Sequence, residues 1–297
     1  MILSGKELKH ISELETDVCI IGGGPAAISM ALSLSNTKHR VVLLTGGSWK
    51  QTHFTKDLNK GIIVPVGSHE PLELSRRRQF GGGSAVWAGR CVPFNEIDFI
   101  QRHWVEGSGW PIPYSEIANY YEKASGICGI GRPIFSGLSL GERSEIIPGF
   151  DDFNFNSNEL ERWSAPINFA VGYKHELEKA GNVRVLLDTH CLCLNMEDSE
   201  NIKNVRARVG DKDIFINGKY FVLATGGIEN ARLLLASANG YFPKGIGNQN
   251  DNVGRYYMTH ITGSYAKIDL KERGKVLFDF DKDTDGTFYR RRWSIPE

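Results

Sequence analysis

The sequence predicts an α/β protein built on a Rossmann-like parallel sheet with an attached β-meander. Three stretches carry that expectation. Val18-Cys19-Ile20-Ile21 is a short apolar run, largely β-branched, that stops at Gly22-Gly23-Gly24 ahead of residues able to sustain a helix. Arg40-Val41-Val42-Leu43-Leu44-Thr45 repeats the strand signature and ends at Gly46-Gly47. Tyr220-Phe221-Val222-Leu223-Ala224-Thr225 runs as a buried strand into Gly226-Gly227, with a helix from Ile228 to Ser237 behind it.

The first stretch reads Gly-x-Gly-x-x-Ala over Gly22, Gly24 and Ala27. In a strand–turn–helix unit, Gly22 allows the turn, Gly24 lets backbone approach a pyrophosphate, and the small Ala27 lets helix pack on strand. The free N–H groups at the helix start then face the phosphates. After a polar break at Asn36-Thr37-Lys38-His39 the second strand closes a βαβ unit of about 30 residues. Thr45 stands where an acidic side chain normally takes the ribose hydroxyls, so a hydroxyl replaces a charge-assisted bond.

From Trp49 to Arg102 periodicity is weak, and the stretch reads as an extended segment laid across a surface. At its centre Arg76-Arg77-Arg78-Gln79-Phe80-Gly81-Gly82-Gly83-Ser84-Ala85-Val86-Trp87 combines glycines with arginines and a serine. Such backbone can press against a phosphate or a planar ring; a solvated basic linker is the other reading. A helix follows from about Ser115 to Ser125, with Ile117, Tyr120, Tyr121 and Ala124 on one core-facing side. Residues 126–165 read as an irregular surface excursion or lid. Phe169 to Ala180 reads as a helix closed by Gly181-Asn182. Strands follow at Val183–Leu187, Cys191–Asn195, Val205–Val209 and Asp213–Ile216, the last three forming the meander.

The chain has 297 residues, 35 basic against 35 acidic side chains, and 41% hydrophobic residues. This balance gives no support to a nucleic-acid or membrane-surface partner, and no apolar run is long enough to span a bilayer. Five cysteines at irregular spacing argue against a disulfide framework. Cys19 reads as core, and Cys191 and Cys193, on one face of a strand, lack a second pair at zinc-site spacing, so no metal is expected. A cytoplasmic location is expected.

In order along the chain, Val18 to Ala27, Gly81 to Cys91, Trp110-Pro111-Ile112-Pro113-Tyr114 with Tyr120-Tyr121, Ala224 to Leu235, and Asn252-Val253-Gly254-Arg255-Tyr256-Tyr257-Met258-Thr259-His260 resemble the motifs of glucose-methanol-choline (GMC) oxidoreductases, nearest the bacterial branch of the pyranose oxidases. The resemblance implies FAD. Gly22, Gly23, Gly24, Pro25 and Ala27 would surround its pyrophosphate, and Thr45 would sit by the adenosine ribose in place of the usual glutamate. Gly81, Gly82, Gly83, Ser84 and Trp87 would pass close to the flavin and its ribityl-diphosphate arm. The backbone of Cys191 would meet the adenine edge, with Ala224, Thr225 and Gly226 near the phosphate-adenosine arm. Val86 stands where pyranose oxidases carry a histidine that bonds FAD, so the flavin is expected to be held non-covalently.

The family oxidises a CH–OH group by hydride transfer to flavin N5, with a histidine paired to histidine or asparagine taking the proton. The resemblance places those groups beyond Glu297, so no catalytic residue is assigned; the histidine of the last motif, His260, is structural in the family. The chain is thus expected to be an N-terminal part of an alcohol or sugar oxidoreductase. Residues 1–260 would be the FAD-binding domain, with an inserted irregular segment at about 49–168, and 261–297 the beginning of an incomplete substrate domain. The alternative is a non-catalytic truncated or split half completed by a complementary C-terminal chain. A flavin- or nicotinamide-dependent reductase of another family is a third reading, although only one Gly-x-Gly-x-x-Ala unit follows a strand.

Overall fold

The computed structural model describes residues 1–141, 145–147, 155–165, 167–259, 263–264, 266–272 and 276–295. In chain order the strands and helices begin with β1 (Ile2–Leu3), β2 (Glu13–Glu15), β3 (Val18–Ile21), α1 (Pro25–Leu34), β4 (Val41–Leu44), α2 (His53–Asp57) and α3 (Leu72–Ser75). A 3-10 turn at Gly82–Ala85 leads to β5 (Arg90–Cys91), α4 (Tyr114–Ala118), α5 (Tyr121–Cys128) and β6 (Asn156–Trp163). Then come α6 (Phe169–Gly172), α7 (Lys174–Lys179), β7 (Val183–Leu186), β8 (His190–Met196), β9 (Ile202–Val209), β10 (Lys212–Asn217), β11 (Tyr220–Leu223), α8 (Gly227–Ala236), β12 (Asp281–Lys282) and β13 (Phe288–Ser294). These form two compact units, Met1–Val86 with Asn168–Tyr257, and Trp87–Ile167 with Met258–Glu297.

The first unit is the α/β body read from the sequence. Its parallel sheet has the order β1-β7-β4-β3-β11, with Val18 opposite Val41 on one side and Tyr220 on the other. The four residues of β3 and of β4 are buried throughout, as a strand covered on both faces requires. Alternation divides them. Cys19, Ile21, Val42 and Leu44 share one apolar cluster with Leu194, Val205, Ala207, Ile214 and Ile216 of the meander. The meander β8-β9-β10 is antiparallel, with β2 added parallel to β10. Val18, Ile20, Val41 and Leu43 point to the other face, where α1 lies and buries Ala27, Ile28 and Ala31.

Several local expectations change. The strand read as buried, β11, is the outermost strand of its sheet, with Tyr220 65% exposed, because among the described residues only β3 pairs with it. The helix read over Phe169 to Ala180 breaks at Tyr173 into α6 and α7. A bulge between Cys191 and Cys193 interrupts β8, so simple alternation does not set their facing. Residues 49–86 belong to this unit and carry α2 and α3.

The second unit holds an antiparallel sheet ordered β12-β13-β6-β5. Its central strand β6 lies inside the stretch expected to be irregular. Asn-Ser-Asn-Glu-Leu-Glu-Arg-Trp shows no apolar alternation because charge pairs replace it: Arg290 of β13 faces Glu161 and donates to it at 2.7 Å, and Arg292 faces and pairs with Glu159. Arg162 is fully buried. Its Nε donates to the Ile130 carbonyl at 2.7 Å, and its guanidinium meets Asp283 at 2.9 Å, a carboxylate that Arg132 also pairs with. The single helix expected near Ser115–Ser125 breaks at Asn119-Tyr120 into α4 and α5. Tyr120 and Trp110 are exposed rather than core, while Phe99 meets Phe94 and Tyr114 edge to face, and tilted contacts join Trp110 to Phe99 and Tyr121 to Tyr114. Phe94, Tyr114 and Tyr121, with Leu160 and Arg292, line a cleft of about 920 Å³.

Breaking a buried pair strands its partner, so Arg162→Ala is expected to lower the unfolding free energy by about 3 kcal/mol, while Arg255→Ala, whose pair with Asp251 is exposed, leaves it within error in urea unfolding. Burial alone would raise the Asp283 carboxyl, but its bonds to Arg132 and Arg162 outweigh burial and hold it at about 2. Its folded pKa lies below the ordinary range near 4, so its stabilisation is complete above about pH 5 and is lost as pH falls through about 2. Asp283→Asn should remove that part of the acid sensitivity in thermal melts taken between these limits.

Candidate functional site

At the carboxyl ends of β4, β3 and β11 the backbone closes into one row. Gly22 N–H donates to the Leu44 carbonyl at 2.9 Å, and Ala224 N–H to the Ile21 carbonyl at 2.8 Å. Gly22 holds a φ of +130°, and a Cβ on it would lie 2.2 Å from the Ala224 carbonyl oxygen. No side chain fits there. Helix α1 then starts with Gly24 as an uncapped N-cap, Pro25 in its first turn and no acidic residue in that turn. The first bond into the helix, Ile28 N–H to Gly24 O at 3.0 Å, leaves the N–H groups of Ala26 and Ala27 ahead of the intrahelical ladder, as helix geometry dictates.

A second glycine turn lies against this helix start. Gly81 N–H donates to the Gly23 carbonyl at 2.7 Å, and a Cβ on Gly82 would sit 2.8 Å from Gly24 Cα. Gly81 and Gly82 both take positive φ. The turn is pinned by Ser84, a buried hydroxyl that donates to Gly81 O at 2.6 Å and accepts from Phe169 N–H at 3.1 Å. Asn168 caps α6 through Ala170 N–H, and its Oδ1 would meet a Cβ on Gly81 at 2.5 Å. Around Gly83, Gly226 and Gly227 an added Cβ would meet nothing within 4 Å.

On the β4 side Thr45 is buried, donating its N–H to Leu186 O at 3.0 Å, and Gly23 packs on its side chain. Gly46 lies against His190, whose imidazole is pushed below its ordinary range by burial and by Arg78. Burial pushes the neighbouring Cys191 thiol up to about 12, which leaves it un-ionised. Arg78 reaches Glu229 of α8 at 2.9 Å, Arg76 reaches it at 3.2 Å and Arg232 at 2.7 Å. Burial would raise Glu229, yet the arginines outweigh it and keep the carboxylate ionised. Three guanidinium groups on one carboxylate leave a local excess of positive charge. Thr225 N–H donates to Asn230 Oδ1 at 3.0 Å, and Asn230 N–H to Gly226 O at 2.8 Å, fixing the entry to α8.

Gly22, Gly23, Gly24, Pro25, Ala27, Thr45, Gly81, Gly82, Gly83, Ser84, Cys191, Ala224, Thr225 and Gly226 all belong to the first unit. Trp87 opens the second, where its indole N–H donates to the Ile167 carbonyl at 3.0 Å. His260 lies outside the described residues. The sequence assigns no role to Glu229, His190 or Asn168; Glu229 and Arg232 lie in the Ala224 to Leu235 motif, and Arg76 and Arg78 in the arginine run. Among the described residues no group of three or more His, Cys, Asp and Glu could hold a metal ion. Glycine backbone, unpaired helix-start donors and excess positive charge fit a diphosphate-bridged nucleotide.

No family model matches the chain. It is similar to 2-methyl-1,2-propanediol dehydrogenase of Mycolicibacterium austroafricanum, 27% identical over 316 residues that take in 86% of this chain and 56% of that protein. It is also similar to paromamine 6'-oxidase of Streptomyces fradiae, 24% identical over 213 residues, 59% of this chain and 39% of that one. The chain thus spans about half the length of the curated relatives it matches. Among solved structures it shares the fold of pyridoxine 4-oxidase from Mesorbium loti, with a TM-score of 0.50 and 18% identity over 75% of this chain and 52% of that one. The resemblance and the α/β fold class read from the motifs are borne out: the sequence relatives are a dehydrogenase and an oxidase, and the solved neighbour shares the fold.

Two glycine substitutions separate close approach from open space. Gly22→Ala meets both a left-handed φ and a carbonyl at 2.2 Å, so its stability should fall by about 1 kcal/mol or more, which lowers the melting temperature by about 3 °C or more. Gly83→Ala, which meets nothing, should melt with the parent protein.

Proposed function

We propose that the chain carries the FAD-binding part of a GMC oxidoreductase that oxidises the CH–OH group of an alcohol or sugar. The observation that carries this reading is the stack of Gly24 on Gly82 beside the uncapped start of α1, where backbone alone faces the space a diphosphate needs. Ala26 and Ala27 would donate their N–H groups to the phosphates, and Gly24 and Gly82 would keep side chains out of the way. Ala224, Thr225 and Gly226 would border the adenosine arm, with the backbone of Cys191 at the adenine edge. When bound, FAD supplies the hydride acceptor, flavin N5.

Thr45 packs on Gly23 at the position where the resemblance implies a ribose contact, so the nucleotide would be retained by backbone donors and by the positive charge around Glu229 rather than by a carboxylate. Val86 has no atom that could bond the flavin, which supports non-covalent binding. The cofactor role falls on Met1–Val86 with Asn168–Tyr257, and Trp87–Ile167 with Met258–Glu297 is read as the beginning of the substrate side. One sequence relative is named as the dehydrogenase of a diol, which supports the substrate class. A cytoplasmic setting belongs to the same proposal.

FAD titrated into the purified chain should give a saturable complex with flavin absorbance, and acid precipitation should release the flavin into solution. Gly83→Glu meets open space, so it should fold normally. Its carboxylate would oppose the diphosphate and weaken FAD binding by about 100-fold. A Gly83→Glu chain that binds FAD as tightly as the parent overturns the placement of the diphosphate, and a parent chain that binds no FAD overturns the reading.

A further inference from the structure

Two of the five cysteines stand apart from the others. Cys19 is fully buried in β3 and Cys191 carries a thiol held un-ionised by burial. Cys91 and Cys128, both in the second unit, are half-buried and within hydrogen-bonding reach of each other. Their approach is fixed from three sides. Cys91 ends β5 opposite Arg162 of β6, and the Arg162 guanidinium donates to the carbonyl of Ile130, two residues past Cys128. Gly89, whose carbonyl lies 3.6 Å from the Cys91 sulfur, accepts the Ser164 N–H at 2.8 Å. Gly129, the left-handed C-cap of α5 directly after Cys128, would place a Cβ 3.8 Å from Ser164 Oγ. Ser164 and Arg162 therefore clamp both cysteine-bearing segments onto the end of β6.

We propose that Cys91 and Cys128 form an oxidisable dithiol, a modification site that a hydroperoxide converts into a reversible disulfide joining the end of β5 to the end of α5. Cys128 is the attacking sulfur. The Cys91 S–H donates to the Gly89 carbonyl at 3.6 Å, and the contact with Cys91 lowers the Cys128 thiol below its ordinary range. In the first step the Cys128 thiolate attacks one peroxide oxygen. An S–O bond forms, the O–O bond breaks, and hydroxide leaves and takes a proton to become water. In the second step the Cys91 sulfur attacks the Cys128 sulfur, the S–S bond forms and the S–O bond breaks. The departing hydroxide takes the Cys91 proton as a second water. Two thiols lose two electrons and one hydrogen peroxide gains them.

The test is to treat the full chain with stoichiometric hydrogen peroxide, alkylate the remaining thiols, and map peptides by mass spectrometry without reduction. The expected result is one cross-linked peptide pair holding Cys91 and Cys128, 2 Da lighter than the two thiol peptides and restored by dithiothreitol. The rate of thiol loss should rise with pH as the Cys128 thiol ionises, ahead of an ordinary thiol. In Cys91→Ser the cross-link vanishes and Cys128 accumulates sulfenic acid, trapped by dimedone; in Cys128→Ser both cross-link and trapping vanish. Circular dichroism of each serine variant shows whether it is folded, and the parent chain alone decides if one is not. Cross-links spread over Cys19, Cys191 or Cys193, or Cys128 driven to sulfinic acid beside an intact Cys91 thiol in the parent chain, would overturn the proposal, as would five thiols that survive the treatment.

Discussion

Close approach of bare backbone is the constraint on which the first unit depends. A Cβ on Gly22 would run into the Ala224 carbonyl, and one on Gly82 into the backbone of Gly24. Strand ends that lie this close keep β4, β3 and β11 in register, aim α1 out of the sheet, and bring a turn from more than fifty residues downstream onto the helix start. The row lies at the carboxyl ends of parallel strands, where open α/β sheets bind ligands, and glycine there does structural and recognition work at once. Removing a side chain to let two strands meet also exposes the N–H groups an anion would use.

The two units are stabilised by different means. The first encloses an apolar core on both faces of its parallel sheet, and among the described residues its buried charged side chain is Glu229, held by three arginines. The second carries charge through its centre, with Arg162 and Arg291 buried and Glu161 facing Arg290. Buried pairs add little net stability over well-packed apolar groups, but losing one partner is costly. A one-residue slip of β13 on β6 would separate Arg290 from Glu161 and Arg292 from Glu159 together, so the charges set register where apolar alternation is missing.

This contrast explains what the sequence disclosed. The β3-α1-β4 unit, the meander and the β11-α8 junction were legible because dense apolar runs ended at glycines, and each run had to be covered. Strand β6 was not, since its buried residues include Glu161 and Arg162, which polarity alone assigns to solvent. Nor was the break at Asn119, where spacing that fits one helix is shared by two short ones. At the candidate site the glycines announced themselves, whereas Glu229, His190 and Asn168 are ordinary residues locally. Their positions follow from contacts such as Arg76 to Glu229, 153 residues apart in the chain.

Hydrogen exchange of the backbone amides, read by mass spectrometry with and without saturating FAD, tests the central claim most directly. If one cradle is formed by the two glycine turns and the β11 junction, FAD slows exchange at Gly23–Ile28, at Gly81–Ser84 and at Ala224–Gly227 together. Protection confined to one of these stretches, or to none, would contradict it.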